Sequence, residues 1–162
     1  MEISTASVAK LLRAYCDVLA ELRKRNLIRS TNNPVADLAE TLVALALKLS
    51  LVVGSTAGYD ATDADGKRYE IKGRRITKEN KSRQLSFIRG LDQGHFDFLV
   101  GVLFNEDFTI FRACLLSRIT VEKLAKYVAH VNGWRLVLAD SVWEETGVAD
   151  LTEPLRLLLT KL

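Results

Sequence analysis

Apolar residues recur at helical spacing in two stretches near the start of the chain. Between residues 5 and 25 they fall three and four positions apart, which predicts an amphipathic helix capped by Thr5 or Ser4. A second, strongly apolar helix is predicted with Asn33 as N-cap and Pro34 in its first turn, ending at about residue 50. The apolar positions of the first helix are Val8, Leu11, Leu12, Tyr15, Val18, Leu19 and Leu22.

Shorter apolar runs bounded by turn residues predict strands in the middle of the chain. The predicted strands are 51–53 (closed by Gly54), 58–63, 67–75, 96–104, 108–115 and 134–138. Further helices are predicted from Ser82 to between 90 and 94, over 120–130 with Thr120 as cap, and over 152–162. This order predicts an α/β fold with a mixed sheet flanked by helices, in a single domain covering 1–162.

The composition is ordinary for a globular protein, with 48% hydrophobic and 27% charged residues. No apolar run is long enough to cross a bilayer, and residues 1–20 carry charges where a signal peptide would be apolar. These features predict a cytoplasmic protein with no membrane partner. The two cysteines and the two histidines lack the spacing of a metal site.

The predicted hairpin at 58–75 carries the most specific chemistry in the chain. Side chains two apart on a strand share a face, so Glu70 and Lys72 point the same way. A three-residue loop ending in Gly66 would pair Asp60 with Glu70, whereas a two-residue loop would turn Asp60 to the wrong face. In the first register two carboxylates and an ammonium converge, which suits a divalent metal and a water to be activated.

The alternative for a Glu-x-Lys tripeptide alone is a set of weak ion pairs on an exposed strand, because the motif is short and common. Glu40, on the second predicted helix, is a further candidate carboxylate at the margin of that helix's polar stripe. It could reach the sheet and hold a metal, directly or through water, or remain a solvated border residue.

Basic residues crowd the segment that follows, although the net charge of the chain is only +3. Between Lys67 and Arg89 there are nine basic residues against two acids. Such a cluster is typical of a solvated basic loop or of a phosphate-binding surface, and its place beside the acidic pair favours the second. The residues expected to contact nucleic acid are Arg74, Arg75, Lys78, Lys81, Arg83 and Gln84.

This pattern resembles the PD-(D/E)XK nuclease superfamily, the fold of many restriction endonucleases and archaeal Holliday-junction resolvases. Tyr59 stands where the strict motif has a proline. The matching residues are Glu40, Asp60, Glu70, Ile71 and Lys72. The resemblance covers about 34–115 and implies a restriction endonuclease-like αβββαβ core, with 1–33 and 116–162 as helical extensions.

The resemblance implies a metal-dependent nuclease that hydrolyses DNA phosphodiester bonds, of the restriction or repair endonuclease type. Asp60 and Glu70 would bind Mg²⁺ or Mn²⁺ with the carbonyl of Ile71, and Glu40 would complete or support the site. Lys72 would orient or deprotonate the attacking water and stabilise charge in the transition state. Oxygen ligands suit Mg²⁺, and a pre-set positive charge suits developing phosphoryl charge.

Two other functions fit the same residues. The fold could act without catalysis, as a DNA-binding or assembly module whose basic loop binds phosphates. The chain could also be an interaction domain with its first helix as a partner-binding or dimer face, although packing of that helix onto its own sheet is the simpler expectation. A homodimeric nuclease would present two sites to two strands.

Overall fold

The computed structural model of this protein describes residues 2–53 and 58–162, so the predicted strand end at Gly54 lies outside it. The described residues form an α/β fold in which a mixed six-stranded sheet is flanked by four helices. The helices are α1 (Val8–Lys24), α2 (Val35–Leu47), α3 (Arg118–Leu124) and α4 (Thr152–Leu159). None of these helices has the length and apolar character needed to cross a membrane.

The sheet has the strand order β1-β2-β3-β4-β5-β8, and β6 and β7 form a separate two-stranded ribbon. Within the six-stranded sheet, β3 and β4 are parallel and the other described pairs are antiparallel. The strands are β1 (Ser50–Leu51), β2 (Ala61–Thr62), β3 (Arg68–Arg75), β4 (Phe98–Phe104), β5 (Ile110–Ser117), β6 (Lys126–Val128), β7 (Gly133–Arg135) and β8 (Ala149–Asp150).

The two N-terminal helices form where the sequence predicts them, with small shifts at their ends. The hydroxyl of Ser7, and not that of Thr5 or Ser4, caps α1. The second helix has Pro34 and not Asn33 as its N-cap; Asn33 lies one residue earlier, and its side chain accepts the N–H of Val35 at 3.1 Å. That helix ends earlier than predicted because Lys48 takes a left-handed conformation, with φ of 56°.

The two faces of β3 meet different surroundings. Tyr69 and Ile71 are buried against α2 and α4, in the larger of two apolar clusters. Glu70 and Lys72 point to the opposite face, which is covered by residues around 85–91 and 134–142. The helix α2 lies close against β3 at Gly73, where an added Cβ would lie 2.8 Å from the carbonyl oxygen of Val35. Glycine at this point therefore lets the helix rest directly on the strand that carries the candidate motif.

The hairpin adopts the predicted three-residue loop. Thr62 of β2 pairs with Arg68 of β3, and Ala61 pairs with Tyr69. Gly66 has a φ of +77°, the left-handed conformation that closes this type of loop. The paired register ends at Ala61 and does not extend to Asp60 and Glu70, because the N–H of Asp60 donates to the carbonyl of Tyr69 at 2.8 Å. The hairpin still brings Asp60 beside β3, where its carboxylate accepts the N–H of Ile71.

The predicted helix beginning at Ser82 is wrong. The segment is extended instead, and its backbone pairs with a segment about fifty residues further along the chain: Leu85 donates to Leu136 at 3.0 Å, and Ile88 and Trp134 exchange two hydrogen bonds of 2.9 Å. The apolar residues at three-residue spacing are buried by this pairing and not by a helix. A single 3-10 turn, Leu91–Gln93, follows.

Two other predicted elements are corrected by the structure. The strand predicted at 51–53 is only Ser50–Leu51, and Val53 is 96% exposed. The helix predicted over 120–130 stops at Leu124 and is capped by Ser117, not Thr120. The residues beyond it turn back as the β6–β7 ribbon, in which two aromatic rings pack across the strands at 5.3 Å.

Candidate active site at the edge of strand β3

The candidate site lies where β3 extends beyond β2. The described part of β2 pairs only with Arg68 and Tyr69. Beyond Tyr69, the N–H and C=O groups that β3 presents on that edge therefore have no strand partner in β2. The N–H of Ile71 faces this edge and donates to Oδ2 of Asp60 at 2.7 Å. Because the N–H and C=O of one strand residue point the same way, the Ile71 carbonyl faces the same edge beside that carboxylate.

Asp60 sits in an environment that opposes its charge. Burial, and then the neighbouring carboxylate of Glu70, raise the pKa of Asp60 to about 6. The Ile71 N–H and the charges of Lys72 and Arg29 act in the opposite direction without cancelling the rise. A buried carboxylate repelled by a second one is an arrangement that a bound cation would stabilise.

Lys72 is held between two partners on the same face of the sheet. Its Nζ lies 2.9 Å from Oε1 of Glu70 and donates to Oγ of Ser86 at 3.2 Å. The side chains of Lys72 and Glu70 are only 11% and 17% exposed. The ammonium is therefore positioned by contacts on both sides, instead of extending into solvent as most lysines do.

Glu40 does not join the other two carboxylates directly. Its carboxylate forms an ion pair with the guanidinium of Arg29, which also donates to the carbonyl of Val52 at 3.1 Å. The loop that carries Arg29 is tied to α2 by Asp37, which accepts the backbone N–H of Arg29 at 2.9 Å. The positive charge of Arg29 also acts to lower the pKa of Asp60, so Arg29 interacts electrostatically with both Glu40 and Asp60.

The donor set fits a hard divalent cation. Asp60, Glu70 and the Ile71 carbonyl supply oxygen ligands, and Mg²⁺ is commonly held by one or two carboxylates with the rest of its shell water. Within 2–53 and 58–162 no group of three or more His, Cys, Asp or Glu side chains is close enough to hold an ion. Any ion here would therefore be held by two carboxylates, a carbonyl and water, because Glu40 is paired with Arg29.

No protein-family model matches this sequence, and comparison with curated proteins finds no significant match. The functional assignment therefore depends on the residues and their geometry.

Arg74 and Arg75, the first basic residues after the motif, line a groove next to the candidate site. Arg74 donates to the carbonyl of Ser82 at 3.2 Å. Arg75 donates twice to the carbonyl of Glu106, at 2.8 and 2.6 Å, and its guanidinium lies 4.4 Å from the centre of the Phe108 ring. Both arginines are thus oriented by the protein and line a shallow groove of about 500 Å³.

That groove connects the candidate motif with the basic loop. Its lining residues include Ser86, the partner of Lys72, together with Arg74 and Thr77. A second groove of about 840 Å³ shares Thr77 and is also lined by the exposed lysines of the loop. The lysines are Lys78 and Lys81.

Two of the residues expected to bind nucleic acid, Arg83 and Gln84, make contacts with other parts of the same chain. Arg83 forms an ion pair with Asp140 at 2.7 Å and stacks over Phe111 at 4.7 Å. Gln84 pairs through its backbone with Val137, so it belongs to an extended segment and not to the predicted helix. Their side chains are only partly exposed, in contrast to the two lysines of the loop.

Sequence reasoning missed two residues that contact the site. Arg29 lies 31 positions before Asp60 in a loop without a motif, and Ser86 lies in the segment that was predicted as a helix. The only sequence signal for Arg29 was an isolated charge between two apolar helices. Ser86 had none, because its contact with Lys72 depends on the long-range pairing of its segment.

Proposed function

We propose that this protein is a metal-dependent nuclease that hydrolyses DNA phosphodiester bonds, as an endonuclease of the restriction or repair type. The observation that carries the proposal is the proximity of Asp60, Glu70 and Lys72 at one edge of β3, where the Ile71 N–H donates to Asp60 and the charges of Glu70 and Lys72 act on its carboxylate. Groups of this kind, at this spacing, suit hydrolysis of a phosphodiester.

Each residue has a role that follows from its contacts. Asp60, Glu70 and the Ile71 carbonyl would hold Mg²⁺ or Mn²⁺, which when bound polarises a phosphoryl oxygen and acidifies water. Lys72, oriented by Glu70 and Ser86, provides a positive charge where negative charge develops on the phosphoryl group. This charge is in place before the substrate arrives, which lowers the cost of reorganisation in the transition state.

The chain order gives further support. The helix α2, the β1–β2–β3 meander and a strand β4 parallel to β3 agree with part of the expected αβββαβ order, which also requires a helix before β4. The difference is the crossover, which is extended where the superfamily pattern has a helix. Asp60, Glu70 and Lys72 come before the crossover, and the crossover contributes Ser86, which contacts Lys72.

The direct test is cleavage by the wild-type protein. Supercoiled plasmid and a labelled duplex oligonucleotide should be cut in Mg²⁺ or Mn²⁺, and excess EDTA should stop the reaction, because the acidic pair needs a cation to engage phosphate. Gel electrophoresis of the products distinguishes nicking from exonuclease action. Absence of cleavage of DNA and RNA substrates with either metal would count decisively against the proposal.

A second candidate function is a catalytically inactive nuclease fold that binds DNA or another protein. The contacts of the acidic residues favour it: Glu70 is paired with Lys72 and Glu40 with Arg29, so cations of the protein itself already neutralise them. This function predicts DNA binding without metal binding. Calorimetric titration with Mn²⁺ in the absence of DNA separates the two functions.

Both functions predict that the basic loop binds the DNA backbone. Replacing Lys78 and Lys81 together by alanine should reduce the slope of log K against log salt concentration by about 2 for duplex DNA, since each phosphate contact contributes about 0.9. Fluorescence anisotropy in EDTA measures this without cleavage. The matched control is alanine at Lys10 and Lys24, exposed lysines of α1, which should leave the slope unchanged. Equal effects of the two pairs would exclude the loop as a specific binding surface.

A further inference from the structure

One face of α1 is apolar along its whole length but only partly covered. The apolar stripe defined above runs from Val8 to Leu22, and of its members Leu19 alone is fully buried, at 6% exposure. Val8 and Leu12 are 72% and 61% exposed, and Tyr15 and Val18 remain more than half exposed. Four large apolar side chains in one continuous stripe are more than a monomer surface normally exposes on one helix.

The C-terminal half of α1 rests against the protein and leaves an apolar groove beside it. The groove has a volume of about 390 Å³ and lies between Val18 and Leu22 on one side and Ile28, Leu38 and Phe108 on the other. The N-terminal half, with Val8 and Leu12, extends beyond this groove. The same helix therefore presents a projecting apolar segment and an apolar groove.

The stripe is symmetrical about Tyr15. Reversing the helix about that residue exchanges Val8 with Leu22, Leu11 with Leu19, and Leu12 with Val18. An antiparallel copy of α1 would thus place its projecting residues over the groove of the first copy, and the reverse contact would be identical. A self-complementary surface of this kind is what a two-fold dimer requires.

We propose that a second copy of this chain covers the α1 stripe, with the two α1 helices antiparallel about a two-fold axis at Tyr15. Val8 and Leu12 of each copy then fill the groove of the other. Lys10, Arg13, Asp17 and Lys24 lie on the far side of the helix and stay in solvent, whereas Arg23 lies at the margin of the stripe. The residues flanking the stripe also include the small Ala9, Ala14 and Cys16. Small flanking side chains let two helices approach closely. The inference is independent of the proposed nuclease activity.

Light scattering after size-exclusion chromatography tests the dimer on the full chain. At about 100 µM protein the wild type should have twice the 18.1 kDa mass of one chain. Leu12→Glu should restore the single-chain mass, and Val8→Glu should act in the same direction, because both place charge in the apolar contact. Arg13→Glu, on the far side of the helix, is the control and should remain dimeric. Leu12 and Val8 are exposed in one chain, so circular dichroism should show unchanged folding for both variants.

The antiparallel orientation is tested by cross-linking in a Cys16→Ala background, since the remaining Cys114 is buried. Ala9→Cys and Arg23→Cys proteins, mixed and treated with a short bis-maleimide, should form a covalent heterodimer. Neither protein should cross-link alone, because two copies of position 9 would be about 18 Å apart along the helices and two copies of position 23 about 24 Å. A single-chain mass for the wild type, a dimeric Leu12→Glu protein, or cross-linking of each variant only with itself would overturn the proposal.

Discussion

Replacing Lys72 by alanine is expected to lower the rate of DNA cleavage by about 10²–10³-fold, the loss typical for removal of one pre-positioned group that stabilises transition-state charge. The ammonium is held by Glu70 at 2.9 Å and by Ser86 at 3.2 Å, and no solvent molecule can reproduce that placement. Single-turnover cleavage of a labelled duplex, with enzyme in excess, measures the chemical step without the contribution of DNA binding.

The control for this experiment is Lys67→Ala, which removes an exposed lysine from the loop of the same hairpin. It should cleave at the wild-type rate. Ser86→Ala should lose less activity than Lys72→Ala because one of the two contacts of the ammonium remains. Wild-type cleavage by Lys72→Ala would mean either that the lysine has no catalytic role or that a contaminating nuclease is responsible.

Replacing Asp60 by asparagine should make the metal-free protein more stable at neutral pH. Burial and the Glu70 carboxylate raise the pKa of Asp60 to about 6 in the folded protein, from an ordinary value of 3.8. The folded state therefore binds the proton more tightly than the unfolded chain, and the wild type loses stability as the pH rises from about 4 to about 6. Asparagine does not titrate and can still accept the N–H of Ile71.

We expect the free energy of unfolding of Asp60→Asn to exceed that of the wild type by about 1–3 kcal/mol above pH 6, since a tenfold change in proton affinity corresponds to about 1.4 kcal/mol. Below about pH 4 the difference should disappear. Urea unfolding in EDTA at a series of pH values measures it. Saturating Mg²⁺ should then stabilise the wild type and not the variant. If the free energies of unfolding of the two proteins changed with pH in the same way, Asp60 would not have the raised pKa described above.

The part of the site that depends on local sequence could be predicted. The side-chain period of two in β3 puts Glu70 and Lys72 on one face, and the loop ending in Gly66 sets the pairing of β2 with β3 that brings Asp60 beside β3. Both relations span no more than eleven residues. Turn geometry and strand periodicity determine such short-range relations, whatever surrounds them.

The segment between β3 and β4 could not be predicted from its own residues. Leu85, Ile88 and Leu91 have a spacing that suits a helix, yet the backbone there pairs with Trp134 and Leu136. That pairing competes with helical hydrogen bonds and prevails because it also buries the apolar side chains. A pattern read within a window of ten residues contains no information about a partner fifty residues away.

By itself, the sequence determined the two N-terminal helices, the hairpin with its loop, the strands on either side of residue 106, and the candidate acidic pair with its lysine, because each depends on neighbours close in the chain. Only the tertiary structure decided the extended crossover, the pairing of Glu40 with Arg29, the contact of Ser86 with Lys72 and the raised pKa of Asp60. All of these depend on burial and on contacts between segments far apart in the chain, which arise only once the sheet and its covering layers have packed together.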